Sequence, residues 1–308
     1  MDHTNNVTEF ILHGLTQDRT VAKVCCLLFS LFYATTILGN LLIIVTVRTS
    51  DQLNSPMYFL LSSLSFIDMS YATVSAPKLI HDLLVEEKTI SFAGCMAQLF
   101  GTHFFGCTEV FLLMAMAYDR CVAICSPLHY PSVVSPRLCG CLVGASALGG
   151  LVHALLQTLL VLQLPFCGPR NGLDHYFCDV HPLLALACAD TRAVTVAVAI
   201  SSGVVVLGCF AVLVVSYGVI LAALSTRSAQ GRLRALSTCS SHILAVLLFF
   251  GPCVFVHLRP SVTLPADKVV SVLYTIIAPM LNPFIYALRN RDVKNGVSRL
   301  WSRALKRR

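Results

Sequence analysis

Seven stretches of this chain, near 24–47, 58–80, 96–118, 138–162, 195–222, 238–258 and 269–288, each stay apolar for long enough to cross the hydrocarbon core of a bilayer as a helix. An unpaired peptide group is costly in lipid, so a spanning segment must be a helix or part of a closed barrel. Runs this continuous lack the alternation of barrel strands. Composition agrees: 56% of the 308 residues are hydrophobic and only 12% charged, where soluble domains carry about 25% charged residues. The expected fold is therefore all-α: a membrane protein built as a seven-transmembrane helix bundle. No Pro/Gly/Ser-rich linker divides it and no internal repeat is visible, so 1–308 reads as a single domain. Within it, 1–23 is a tail, 24–288 the bundle and 289–308 a closing helix.

An odd number of crossings puts the two ends on opposite sides, and basic residues mark the cytoplasmic one. The side holding the C-terminus carries 14 Lys/Arg against 3 acids, the other 8 against 10. The N-terminus is expected outside, at the plasma membrane, with the first helix acting as the targeting signal. "NVT" makes Asn6 a glycosylation acceptor on that outer tail. The net charge of +7 then reflects a basic face beside anionic membrane lipid, with no nucleic-acid partner implied. After the last span, Val293, Val297, Leu300, Trp301, Ala304 and Leu305 recur at helical spacing, with Arg291, Lys294, Arg299, Arg303 and Lys306 on other faces. This predicts an amphipathic juxtamembrane helix on the inner leaflet. Of 14 cysteines, ten lie in spans or on the reducing side. The outer four, Cys95, Cys167, Cys178 and Cys188, allow three pairings among which spacing does not choose.

Ionisable groups inside a bilayer cost a few kcal/mol each at its centre, so they face the bundle interior and mark function. Along the third span, Gln98, Thr102, Gly106, Glu109, Met116 and Arg120 share one face at about 100° per residue. Glu109 lies roughly 16 Å above Arg120, and Asp68 roughly 15 Å above the start of its own helix, so the two carboxylates sit at similar depth. They cannot both ionise cheaply side by side. Either one keeps its proton, or a small cation, sodium, sits between them; separate hydrogen-bonded core positions remain the competing reading. Asn40 and Asn282 lie in the inner halves of the first and last helices, so a buried polar cluster between the spans is expected. Pro283 in "NPFIY" frees backbone carbonyls and kinks the seventh helix. Near its inner end stand Tyr286 and, on the fifth helix, Tyr217, whose hydroxyls could receive Arg120 if it left its neighbour Asp119.

Five segments together carry a resemblance: "GN" at 39–40, "SPMYFLLSSLSFID" at 55–68, "MAYDRCVAIC" at 116–125, "LSTCSSH" at 236–242 and "PMLNPFIYALRN" at 279–290. On these the chain resembles a rhodopsin-like G-protein-coupled receptor of the odorant-receptor family, tetrapod-type. It departs from the family at Asn54 and Ser55, where a His usually precedes Pro-Met-Tyr, at Arg234 for a usual Lys, and at Phe250 for a usual Tyr. The resemblance implies disulfides Cys95–Cys178 and Cys167–Cys188. It implies that Arg120, released from Asp119, meets Tyr217 and Tyr286 as the sixth helix swings out. The opened cavity would then accept the α subunit of a stimulatory, olfactory-type G protein and raise cyclic AMP, with Arg227, Arg232 and Arg234 close by.

The resemblance also implies a ligand pocket in the outer half, formed by Thr102, His103, Gly106, Cys107, Ser201, Val205, Phe250, Cys253, Val254, His257, Val272 and Thr275. An apolar cavity with a few polar anchors suits a small volatile molecule. Thr102 stands where amine receptors of this fold carry an acid, and Ile276 where a retinal-binding receptor carries its lysine, so neither ligand class is expected. A transporter or channel would show inverted repeats or rings of pore charge. A hydrolase would show a converging nucleophile or metal set, and no HExxH or GxSxG occurs. The expectation is a receptor, not an enzyme, with no cofactor beyond the candidate sodium ion.

Overall fold

The computed structural model describes residues 7–168, 171–225, 228–257, 265–289 and 291–306. Asn6 and Arg227 lie outside them, as do the side chains of Arg232, Arg234 and His257. In chain order the elements are β1 (Glu9–Leu12), α1 (Arg19–Thr49), α2 (Pro56–Asp82), β2 (Thr89–Ser91), α3 (Phe92–Cys125), the short α4 (Tyr130–Val133), α5 (Pro136–Leu162), β3 (Gly172–Leu173), α6 (Val180–Leu186), α7 (Arg192–Ser225), α8 (Ala229–His257), α9 (Pro265–Val272), a wide π-type turn (Leu273–Ile277), α10 (Ala278–Arg289) and α11 (Arg291–Lys306). Among the described residues, seven helical segments are long and apolar enough to cross a membrane, the seventh running from α9 through the wide turn into α10.

Which helices face lipid follows from burial. The most apolar windows of α2 and α3 are 61% buried inside the protein, those of α1, α5 and α7 only 22%, so α2 and α3 are interior and the other three present Leu and Val to the bilayer. Helix α3 packs against α5, α2, α7 and α8. Its approach to α5 depends on bare backbone: a Cβ on Gly150 would stand 2.2 Å from Thr108 Oγ1 and 2.7 Å from the Phe104 carbonyl oxygen. Such small-residue contacts let membrane helices close up where hydrophobicity offers no drive between them.

The prolines of the seventh span explain its shape. Pro279 has no amide to give Thr275, and the widened turn ends just before it at Ile277. Pro283 leaves the carbonyl of Pro279 without its helical donor. Asn40 of α1 supplies one instead, its Nδ2 donating to the Pro279 oxygen at 3.0 Å and to the Thr36 oxygen at 3.0 Å.

At the end of the bundle where the chain begins, called the N-terminal face below, the described part of the tail, from residue 7, is built into the fold. Helix α1 starts at Arg19, capped by Asp18, whose Oδ1 accepts from the amides of Thr20 and Val21 at 2.7 and 2.9 Å. Ahead of it β1 forms a three-stranded sheet, antiparallel to β2 with Phe10 opposite Ile90 and parallel to β3 with Leu12 opposite Leu173. Phe10 and Leu12 point into a cluster with Phe166 and Leu173. At the opposite, C-terminal face, α11 packs Val293 and Val297 against the bundle with Lys294 and Arg299 exposed, as its spacing predicts, while Trp301, expected with the valines, is 71% exposed. Tyr58 donates to Asp292 at 3.1 Å and fixes its start.

Candidate functional site

A cavity of about 60 Å³ lies between α2, α3, α5, α7, α8 and the wide turn. Six of the twelve expected residues surround it: Thr102, His103, Gly106, Cys107, Val205 and Cys253. Tyr71, Val110, His153, Asp179, Ser202, Val206, Phe249 and Tyr274 complete its wall. Several expected residues sit one helical step off. Ser202 faces the cavity, while Ser201 accepts from Gln157 Nε2 at 2.8 Å. Phe249 lines the wall, while Phe250 turns toward Phe210 with ring centroids 6.3 Å apart. Val254 packs on the main core, Val272 packs against the cluster holding Tyr176 and Phe177, and the side chain of His257 is outside the described residues. Thr275 is fully buried elsewhere, bonded to Tyr176 Oη at 2.9 Å and donating to the Ser271 oxygen at 2.8 Å.

A loop roofs the bundle. Cys95 is joined to Cys178 and Cys167 to Cys188, with Cα atoms 5.4 and 6.0 Å apart. Gln98 reads both sides: its Oε1 accepts from the amide of Cys178 at 2.9 Å and its Nε2 donates to the Val74 oxygen at 3.0 Å. Just before the crosslinked Cys178, His175, Tyr176 and Phe177 are buried, with ring centroids 4.5 to 4.9 Å apart, His175 stacked on Tyr176 and both edge-on to Phe177. Burial pushes the His175 imidazole down to about 4. Asp174 accepts from Lys268 Nζ at 2.5 Å and lies 3.5 Å from His13 Nδ1, tying loop, α9 and tail together. That lysine hydrogen bond holds the Asp174 carboxyl below the usual carboxylate range.

Beneath the cavity, Asp68 is fully buried and accepts from Asn282 Nδ2 through both oxygens, at 3.1 and 3.0 Å. Glu109, also fully buried, lies beside the same amide and close to Asp68. Neither of its oxygens makes a regular hydrogen bond among the described residues. The two carboxylates, expected at similar depth, thus lie close enough to interact, with the Asn282 amide bonded to Asp68.

Near the C-terminal face, Asp119 Oδ2 stands 3.8 Å from Arg120 Nε. The other oxygen, Oδ1, accepts from Tyr130 Oη of α4 at 2.7 Å, a partner that sequence spacing did not suggest. Burial and that carboxylate push the Tyr130 phenol up. Tyr217, an expected acceptor for Arg120, is hydrogen-bonded to His242 Nδ1 in this state. Tyr286 is buried, its hydroxyl without a partner among the described residues. Arg120 is accordingly in its paired arrangement, with both tyrosines on neighbouring helices. Among the described residues, no three His, Cys, Asp or Glu side chains converge as a metal centre.

With this geometry in view, comparison with known proteins is specific. Residues 29–304 match the family model described as olfactory receptor. The chain is similar to human olfactory receptor 4S2 (56% identical over 303 residues, 98% of this chain and 97% of the relative). It is similar also to human olfactory receptor 4B1 (53%, 98% and 98%) and mouse olfactory receptor 4B13 (52%, 98% and 98%). In fold it resembles the crystal structure of squid rhodopsin, with a TM-score of 0.75 at 16% identity over 94% of this chain and 87% of that one.

Proposed function

The chain belongs to the olfactory receptor family, a group of multi-pass membrane receptors rather than enzymes, and from that premise we propose that it detects small, mainly hydrophobic volatile molecules in the cavity and reports them through a stimulatory, olfactory-type G protein that raises cyclic AMP. The N-terminal face is outside the plasma membrane and the C-terminal face in the cytoplasm, the orientation favoured by the excess of Lys/Arg on the latter side. One observation carries the reading: α3 runs from the cavity wall at Thr102, His103 and Gly106 to the Asp119–Arg120 pair, a single rigid element linking ligand to latch. A ligand that tightens the wall against α8 shifts the equilibrium toward a state in which Arg120 leaves Asp119 and Tyr217 leaves His242, and the space between α3 and α8 receives the G protein.

The oxygen donors of Asp68, Glu109 and Asn282 fit a hard monovalent cation such as sodium, which would neutralise the paired carboxylates. Replacing external sodium with choline while reading the agonist dose response tests this. A response indifferent to sodium assigns the pair to a shared proton.

The decisive assay is a chemically broad volatile panel applied to cells expressing the receptor with a stimulatory G protein. Cyclic AMP should rise for apolar ligands and vanish in Arg120→Ala while surface delivery persists. Ligand-gated current in the absence of G protein would reassign the chain to transport.

A further inference from the structure

Two thiols meet at the C-terminal end of α3. Cys121 and Cys125 stand one helical turn apart with their Sγ atoms 3.9 Å from each other, and Cys125 closes the helix. Among the described residues, no other two of the ten free cysteines bring their sulfurs into contact. Both members of the pair are half-buried, neither sealed in a core nor left on open surface. They pack on Ile220, Leu224 and Cys239 at the junction of α3, α7 and α8, with Tyr217 and Ile243 in the same cluster. Arg120, the basic half of the latch, directly precedes Cys121. Neither thiol has a part in the coupling mechanism proposed above.

From this geometry we infer a metal site: a soft, low-coordinate cation, copper(I), held between the sulfurs of Cys121 and Cys125. Thiolates are the ligands that soft cations select, while magnesium and calcium take oxygen. Two thiolates on one metal at about 2.3 Å stand about 3.8 Å apart at the tetrahedral angle, and further apart as the angle opens. A pair already at 3.9 Å therefore closes on the ion by turning side chains alone. Zinc asks for three or four protein ligands, and among the described residues no third His, Cys, Asp or Glu converges here. Copper(I) is satisfied by two. The carbonyl end of a helix also favours a cation over a bare thiolate. On binding, two copper–sulfur bonds form, two S–H bonds break and both protons pass to solvent, leaving a bis-thiolate complex with one net negative charge. No electron is transferred, because the metal arrives as copper(I). On the orientation proposed above the pair faces the cytoplasm, whose reducing poise keeps both thiols free.

The test is equilibrium binding of copper(I) to the purified full-length receptor in detergent, with the free ion set by a coloured copper(I) chelator and kept reduced by ascorbate. It needs no agonist, G protein or bilayer, so its outcome is separate from the odorant reading. The wild type should hold about one equivalent more copper(I) than Cys121→Ser or Cys125→Ser, each single change removing it because half a pair does not hold the ion. The ultraviolet charge-transfer band of a copper–thiolate complex should disappear with it. Cys141→Ser, which removes the exposed thiol near the start of α5, should keep both the equivalent and the band. Zinc at about tenfold excess should leave the copper in place, for want of further ligands. If a serine variant does not purify as a folded receptor, Cys121→Ala and Cys125→Ala carry the same comparison. A wild type that takes no copper from the chelator overturns the inference. So does equal binding by wild type and both variants, a loss of the same size in Cys141→Ser, or displacement by zinc.

Discussion

At the scale of single residues, the latch shows what a sequence can and cannot disclose. Two charges closing a long apolar run announce themselves, and Asp119 and Arg120 were legible for that reason. Tyr130 was not: it lies beyond the end of α3, in a short helix whose docking depends on tertiary contact. Yet its hydroxyl is the donor bonded to a carboxylate only 1% exposed. Tyr130→Phe should therefore cost about 1–3 kcal/mol, the penalty of leaving a buried acceptor short of a partner. A lower thermal midpoint for the purified receptor in detergent checks it, with the ring retained so that only the hydroxyl is tested; an unchanged midpoint would remove Tyr130 from the latch. The same limit applies in the cavity. Helix α7 could be assigned as a pocket wall, but whether Ser201 or Ser202 faces inward is a rotation of about 100°, set by how α7 packs on its neighbours rather than by local pattern, since Gln157 of α5 donates to both hydroxyls.

Among the elements, the membrane spans were readable because lipid demands length and apolarity, and each expected run falls on a helix in the structure. What hydropathy left blank are the pieces whose order comes from contact: the strand at Glu9–Leu12, which needs β2 and β3 beside it, and α6, held between a disulfide and its Asp179 cap. Helix contacts made by glycine are similarly silent, since a glycine facing lipid and one facing a helix look alike in sequence. Gly150 and Gly144 separate the two cases. A methyl on Gly150 meets Thr108 Oγ1 and the Phe104 carbonyl, whereas one on Gly144 meets nothing within 4 Å. Gly150→Ala should force α3 and α5 apart at a cost of about 1–3 kcal/mol and reduce surface delivery. Gly144→Ala should be neutral or slightly stabilising through helix propensity, by up to about 1 kcal/mol. Equal delivery of the two variants would show that the α3–α5 approach is not set by Gly150.

Over the whole molecule, the two ends of the bundle are built on different principles. The C-terminal face is held by a charge pair, while the N-terminal face is fixed by two crosslinks, a small sheet and an aromatic wedge, and in the mechanism proposed above this difference confines motion to the side away from the cavity roof. The roof has its own weakness, which is acid. His175 is 4% exposed between Tyr176 and Phe177, and its pKa falls from an ordinary 6.5 to about 4. A base whose folded pKa is depressed binds fewer protons folded than unfolded across that interval, so the docked loop is most stable above pH 6.5 and loses stability as pH falls toward 4. Fully expressed, a shift of that size is worth about 3 kcal/mol. Asp174, held low by Lys268, loses its contribution in the same direction but only below that range, as pH falls under the ordinary carboxylate value of 3.8. Hydrogen exchange of residues 172–180 should accelerate steeply between pH 7 and 4.5 after correction for intrinsic rates, ahead of the membrane helices. His175→Phe should flatten that dependence above pH 5 without altering the Asp174–Lys268 pair. A loop whose protection is the same at pH 7 and 4.5, or a His175→Phe variant with the wild-type slope, would place the acid sensitivity elsewhere in the molecule.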